Sequence, residues 1–150
     1  MGFGYNPVQE SDQTITNDGF FPDINVADFQ NVFHDVNDVD SEKVIHSLKV
    51  AMVDVNRQLK SIKASSEFPT LIESDSESIG GESVLELHYK TAVFGVARSN
   101  LLPLLITVSK REKAEELETN FDVIQQQLMI RSNQAIRELH GMTSATVELI

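Results

Sequence analysis

The sequence predicts a mainly α protein: a small helical bundle of three long helices plus a short N-terminal helix, with an extended N-terminal arm and a β-prone C-terminal tail. Three observations carry that prediction. Apolar residues repeat at three and four positions over long stretches, the pattern of helices that bury one face. A chain of 150 residues with 41% apolar content can line one core, and its length matches a single domain. Only the last eight residues alternate small or polar with apolar side chains in the two-residue period of a strand.

Residues 1–19 carry Gly2, Gly4, Pro7 and Asn17-Asp18-Gly19 among scattered Gln, Ser and Thr without apolar periodicity, and read as an extended arm. Phe20, Phe21 and Pro22 then set two aromatics beside a turn residue. Asn25 is placed to cap a short helix with Val26, Phe29, Val32 and Phe33 on one face. That face either closes the bundle or contacts a partner. Asp40 or Ser41 caps the next helix, whose stripe (Val44, Ile45, Leu48, Ala51, Met52, Val55, Leu59, Ile62) runs to about Ala64.

Ser65 to Gly81 reads as a long acidic loop. Ser83 caps a third helix that is apolar on more than one side and therefore central. Within it Ala92, Gly95 and Ala97 are small enough for a close neighbour, and Pro103 predicts a kink or stop near Asn100 to Pro103. Lys110 to His140 forms the fourth helix, turning Leu117, Phe121, Ile124, Leu128, Ala135, Ile136 and Leu139 inward, with Gly141 as its C-terminal stop. The division expected is arm 1–19, helical domain 20–141 and tail 142–150. The tail, Thr143 to Ile150, reads as a strand that either adds to a partner's sheet or frays unpaired.

Charge is segmental. Residues 1–42 hold nine acids and no base, residues 43–66 hold five bases and one acid, and residues 67–86 hold six acids and no base. Acidic and basic blocks in series suggest pairing between segments or subunits. The net charge of -11 has the wrong sign for gripping nucleic-acid phosphates. The acidic, polar start lacks an export signal, the apolar run Leu101 to Val108 is too short for a bilayer span, and the absence of Cys fits a reducing compartment.

Catalytic and ligand-binding patterns are missing. His34, His46, His88 and His140 have no metal-ligand spacing, Gly80-Gly81 lacks the residues of a phosphate loop, and the loop serines lack a nucleophile elbow. The reading is of no enzyme, no metal and no cofactor. The informative surplus is apolar: Phe20, Phe21, Phe29, Phe33, Val147, Leu149 and Ile150 flank a core that the long helices nearly fill.

Several short motifs stand in order: Phe20-Phe21-Pro22-Asp23-Ile24 before a short helix, Met52-x-x-x-Asn56-x-x-Leu59, Gly81-Glu82-Ser83 with Tyr89-x-x-Ala92-Val93, and Gly141 before the tail. Together they resemble the head completion (head stabilisation) proteins of contractile-tailed bacteriophages, over residues 20–150. The resemblance implies a head-to-tail adaptor in the virion neck, assembled in the host cytoplasm. Such a subunit forms a homo-oligomeric ring, typically dodecameric, under the portal protein after DNA packaging. It stabilises the filled head, extends the DNA channel and offers a platform to the next neck or tail terminator ring.

On that reading DNA passes an acidic channel without being recognised, and no membrane is involved. Thr143, Ala145, Val147, Leu149 and Ile150 are the expected portal-docking residues. Phe20, Phe21, Pro22, Ile24, Phe29, Phe33, Lys49, Arg57 and Lys60 are the expected subunit interface. The alternative is a small acidic helical regulator that binds one basic partner.

Overall fold

The computed structural model describes residues 13–148 other than Ser76, with side chains described through Thr143. A two-residue strand β1 (Thr14–Ile15) pairs antiparallel with β2 (Ile24–Asn25) and leads to α1 (Val26–Val32), a 3-10 turn (His34–Asp38) and α2 (Ser41–Gln58). α3 (Lys60–Ser65) extends α2 past a break at Leu59. After a 3-10 turn (Ile72–Ser74), β3 (Ser78–Ile79) and β4 (Glu82–Ser83) form a hairpin. Its tip, Gly80 and Gly81, has φ of 61° and 81°, the left-handed pair that a tight hairpin turn demands. α4 (Val84–Val108), α5 (Arg111–Thr119) and α6 (Phe121–Glu148) complete the chain, so the three long helices are α2, α4 and α6.

The arm does not stop short of the fold. Within 1–19, β1 pairs with β2 and Ile15 is buried, so its last residues belong to the core assembly. Two helix starts form as their sequences dictate. The Asn25 side chain accepts from the Asp28 amide at 3.3 Å and Ser83 from the Glu86 amide at 3.3 Å, each worth about 1 kcal/mol. Asp40 is the N-cap residue of α2, but its side chain makes no capping bond.

α4 is the core helix. Twelve of its residues are buried, from Leu85 to Leu105, and α2 and α6 pack on it from two sides. Among the described residues it is the one helix long and apolar enough to cross a membrane, a property that the short run Leu101 to Val108 concealed. The fold accounts for that apolarity, because a helix apolar all round belongs inside a core. Both neighbours lie close through serines: Ser47 of α2 donates to the Ala97 carbonyl and Ser132 of α6 to the Ala92 carbonyl, each at 2.9 Å. At Gly95 a Cβ would sit 3.0 Å from the Leu128 carbonyl oxygen and 3.2 Å from Ser132 Cβ, so α6 approaches as the small residues imply.

Three expectations fail. Of the kink or stop expected at Pro103, the stop is absent: α4 runs on to Val108, with Pro103 facing solvent while Leu101, Leu102 and Leu105 are anchored in the core. The helix expected over Lys110 to His140 is divided at Asn120 into α5 and α6. Gly141 is no terminator: α6 continues to Glu148, Met142 packs against the core, and the Thr143 hydroxyl bonds back to the Leu139 carbonyl at 2.8 Å. The strand expected from Thr143 is therefore helical backbone through Glu148, and Leu149 and Ile150 lie outside the described residues.

Two glycines test this packing in opposite directions. Gly95→Ala should cost about 1–3 kcal/mol by forcing α4 and α6 apart. Gly141→Ala meets open space inside a helix and should stabilise by about 0.5–1 kcal/mol, both read as shifts in urea midpoint.

Candidate interaction surfaces

The N-terminal segment is held by a closed ring of side-chain hydrogen bonds. Asn17 Nδ2 donates to the Tyr89 hydroxyl (2.8 Å), Tyr89 donates to Asn56 Oδ1 (2.5 Å), and Asn56 Nδ2 donates to Asn17 Oδ1 (2.9 Å). Asn17 also donates to the Pro22 carbonyl and receives the Asp18 amide, which uses its full bonding capacity. Burial pushes the Tyr89 hydroxyl above its usual range, against the Asn17 hydrogen bond and with the Asp18 charge, so it acts as a neutral donor. Phe21 stacks on the Tyr89 ring at 5.3 Å, and Phe20 meets Phe21 edge-on at 4.9 Å.

This arrangement corrects the expected interface. Phe20, Phe21, Pro22, Ile24 and Phe29 are buried in the chain's own core, which takes the wall-closing role left open by the sequence. Phe21 packs on the Tyr89 ring and Phe29 on the Phe94 ring. Phe33 is half-buried, with the Arg98 guanidinium 5.0 Å from its ring centre and paired to Asp35 at 2.8 Å.

Some of the acidic segment is neutralised inside the subunit. Asp18 pairs with Lys63 at 3.0 Å, Asp35 with Arg98, and Asp28 shares Lys90 with Glu82 and Glu86. Burial works against the Asp18 charge, but hydrogen bonds from the Phe21 and Phe20 amides and from Lys63 outweigh it and hold the carboxyl below its usual range. Asp75 behaves alike: burial is overcome by the Ser83 hydroxyl (2.6 Å) and by amides including those of Leu85 and Glu77. The loop from Ser65 to Gly81 is thus tied to the start of α4, and Leu71 is fully buried with its amide on the Phe20 carbonyl.

The basic residues stand where the sequence put them. Lys49, Arg57 and Lys60 are exposed, as are Lys43 and His46, around Val50 and Val53, which are 44% and 57% exposed on the outer face of α2. Among the described residues Lys49, Arg57 and Lys60 enter no ion pair. The acidic loop presents its own apolar side chains, Phe68, Ile72 and Ile79. Of the expected docking residues, Thr143 is half-buried at the end of α6. Ala145 and Val147 continue the helical backbone, and their side chains lie outside the description.

No group of His, Asp and Glu suited to hold a metal occurs among the described residues. The family model described as Phage head completion protein (GPL) matches residues 15–150. The chain belongs to that family. It is a family of structural proteins of the phage head, not of enzymes. A curated relative, the "Probable head completion/stabilization protein" of Haemophilus phage HP1 (strain HP1c1), is 34% identical over 149 residues, covering 95% of this chain and 97% of the relative. No solved structure matches the chain.

The family motifs gain a physical reading here. Phe20 to Asp23, Asn56 and Tyr89 lie far apart in sequence and meet around Asn17, a residue that sequence reasoning passed over because a lone Asn before Asp-Gly reads as a turn. Asp75 was missed for the same reason. An acid in a long loop gives no local sign that it caps a helix eight residues on.

Tyr89→Phe should cost about 1–3 kcal/mol, because it takes the hydroxyl donor from Asn56 Oδ1 and leaves Asn17 Nδ2 with the Pro22 carbonyl alone, at a half-buried site. Acid should weaken the fold through Asp18 and Asp75, whose folded values lie below the ordinary 3.8. Their contribution is whole above pH 3.8 and is lost as pH falls through the folded values. An Asp18→Asn, Asp75→Asn double variant should therefore lose stability at neutral pH and show a flatter decline below about pH 4 in urea titrations.

Proposed function

We propose that the chain is a ring-forming adaptor at the head–tail junction of a phage virion. It joins the portal after packaging, stabilises the filled head, continues the DNA channel and carries the next neck or tail ring. The observation that supports this reading is the relationship to the head completion proteins, which extends over 95% of the chain and 97% of the relative and so concerns the whole subunit. Assembly takes place in the host cytoplasm and the product is a neck component. With a net charge of -11 per copy, the ring repels DNA and lets it slide.

Burial of the Phe20 to Phe29 face narrows the neighbour contact to the outer face of α2. Two exposed valines rimmed by Lys43, Lys49, Arg57 and Lys60 form a small apolar centre with a basic border, suited to an acidic face of the next copy. The segment 1–42 supplies acids, of which Asp23, Asp38, Asp40 and Glu42 are exposed and in no ion pair among the described residues. Bases of one copy set against these acids of the next make a head-to-tail contact, the kind that closes into rings. The end of α6, with Thr143, Ala145 and Val147, docks on the portal through helical backbone rather than as an added strand, together with Leu149 and Ile150 that follow it.

Reversing the charges along α2 and the start of α3 in Lys49→Glu, Arg57→Glu, Lys60→Glu should leave helix content unchanged by circular dichroism and abolish co-sedimentation of the subunit with portal rings. Unchanged co-sedimentation removes α2 from the interface. Deleting residues 143–150 should likewise leave a folded subunit that no longer joins the portal, and retention by portal after the deletion contradicts the docking role.

A further inference from the structure

The loop after α3 holds apolar side chains out to solvent on a fixed backbone. Leu71 is fully buried, with its amide on the Phe20 carbonyl at 3.0 Å, while Phe68 and Ile72 on either side of it are 41% and 38% exposed. The Phe68 amide is held by the Ser66 hydroxyl at 3.0 Å, and the Ser74 hydroxyl donates to the Leu71 carbonyl at 2.6 Å. Asp75 then ties the loop to α4 through the Ser83 hydroxyl and the Leu85 amide. Around this apolar pair stand Glu67, Glu73 and Glu77, all exposed and in no ion pair among the described residues. No Lys or Arg occurs from 67 to 86 to neutralise them.

The outer face of α2 has the complementary arrangement. Val50 and Val53 stand three apart and so lie side by side on the helix, 44% and 57% exposed. Lys49 and Arg57 flank them and Lys60 follows at the start of α3. An apolar centre with a basic rim thus meets its match in an apolar centre with an acidic rim, the anatomy of a protein interface. Neither surface suits a copy of itself, because like charges would face each other on both rims. The contact is therefore head-to-tail.

The other exposed acids supply charge without the apolar part. Asp38, Asp40 and Glu42 stand at the start of α2 itself, and Val36 and Val39 among them are buried. Asp23 closely follows Phe20, whose carbonyl holds the loop, and adds its charge to the loop's. Given the ring-forming adaptor, on which this rests, we propose that Phe68 and Ile72 of one copy seat against Val50 and Val53 of the next, with Glu67, Glu73 and Glu77 facing Lys49, Arg57 and Lys60.

A charge exchange between full-length chains tests the contact. Single exposed ion pairs contribute little, so three charges are reversed together. One variant carries Lys49→Glu, Arg57→Glu, Lys60→Glu and the other Glu67→Lys, Glu73→Lys, Glu77→Lys. Starting from -11, both keep a net negative charge, so general attraction does not bring them together. Mixed singly with portal rings, each should add to them at least tenfold less than the unaltered chain, by native mass. An equimolar mixture of the two should recover most of the binding, because each reversed face then meets its opposite on the other variant.

If either variant misfolds by circular dichroism, a cysteine pair replaces it in this Cys-free sequence. Val53→Cys and Phe68→Cys chains, mixed on the portal and oxidised, should give a disulfide-linked dimer that neither chain gives alone. Recovery on mixing, or that mixed dimer, supports the contact. Full binding by the loop variant, a mixture that stays inactive, or no mixed dimer overturns it while the unaltered chain still joins the portal and the adaptor reading stands. If the unaltered chain joins no portal ring at any salt, the adaptor reading falls and this contact with it.

Discussion

The ring of hydrogen bonds among Asn17, Asn56 and Tyr89 connects three parts of the chain that nothing in the backbone joins. It ties the N-terminal segment to α2 and α4 at one point, and Phe20, Phe21 and Ile24 are buried as a consequence. Buried amides and hydroxyls are costly unless each finds a partner, so the arrangement admits few alternatives. A looser attachment would return two phenylalanine rings to solvent, at about 1.5–3 kcal/mol for each large apolar side chain exposed. Leu71 depends on the same point, since its amide is bonded to the Phe20 carbonyl.

From there the architecture follows from α4. It is apolar around its circumference, so it needs cover on several sides, and α2, α6 and the α1 segment provide it. Ser47 and Ser132 let α2 and α6 approach its backbone closely, and Gly95 leaves room for the α6 main chain. With α2 turned inward by Val44, Leu48, Ala51, Met52 and Val55, its outer face is left with lysines, an arginine and two valines. The surface proposed for contact with a neighbouring copy is thus a by-product of how the core is closed.

Local chemistry was legible in the sequence where one segment decides the outcome. The Asn25 and Ser83 caps, the stripe of α2, the central place of α4 and the closeness permitted by Gly95 all depend on short-range pattern and came out as read. What failed were cases in which distant packing overrides a local signal. Pro103 stays inside a helix because leucines on either side hold it there. Gly141 and the alternation after it look like a stop and a strand, yet Met142 and Thr143 carry the helix on. Phe20 to Phe29 read equally as core or contact, and only the position of Tyr89 and Phe94 decides for core. The exposure of Lys49, Arg57 and Lys60 was legible because charge on one face of a helix needs no knowledge of its surroundings.

An acidic helical subunit with a basic, partly apolar outer face gives a physical basis for assembly on a phage head. The most direct test is the native mass of the purified chain mixed with portal rings from the same genome, measured by mass spectrometry across a range of salt. The account predicts a complex in which the subunit adds in the portal's own copy number. Free portal beside a monomer or dimer at every salt concentration would contradict it.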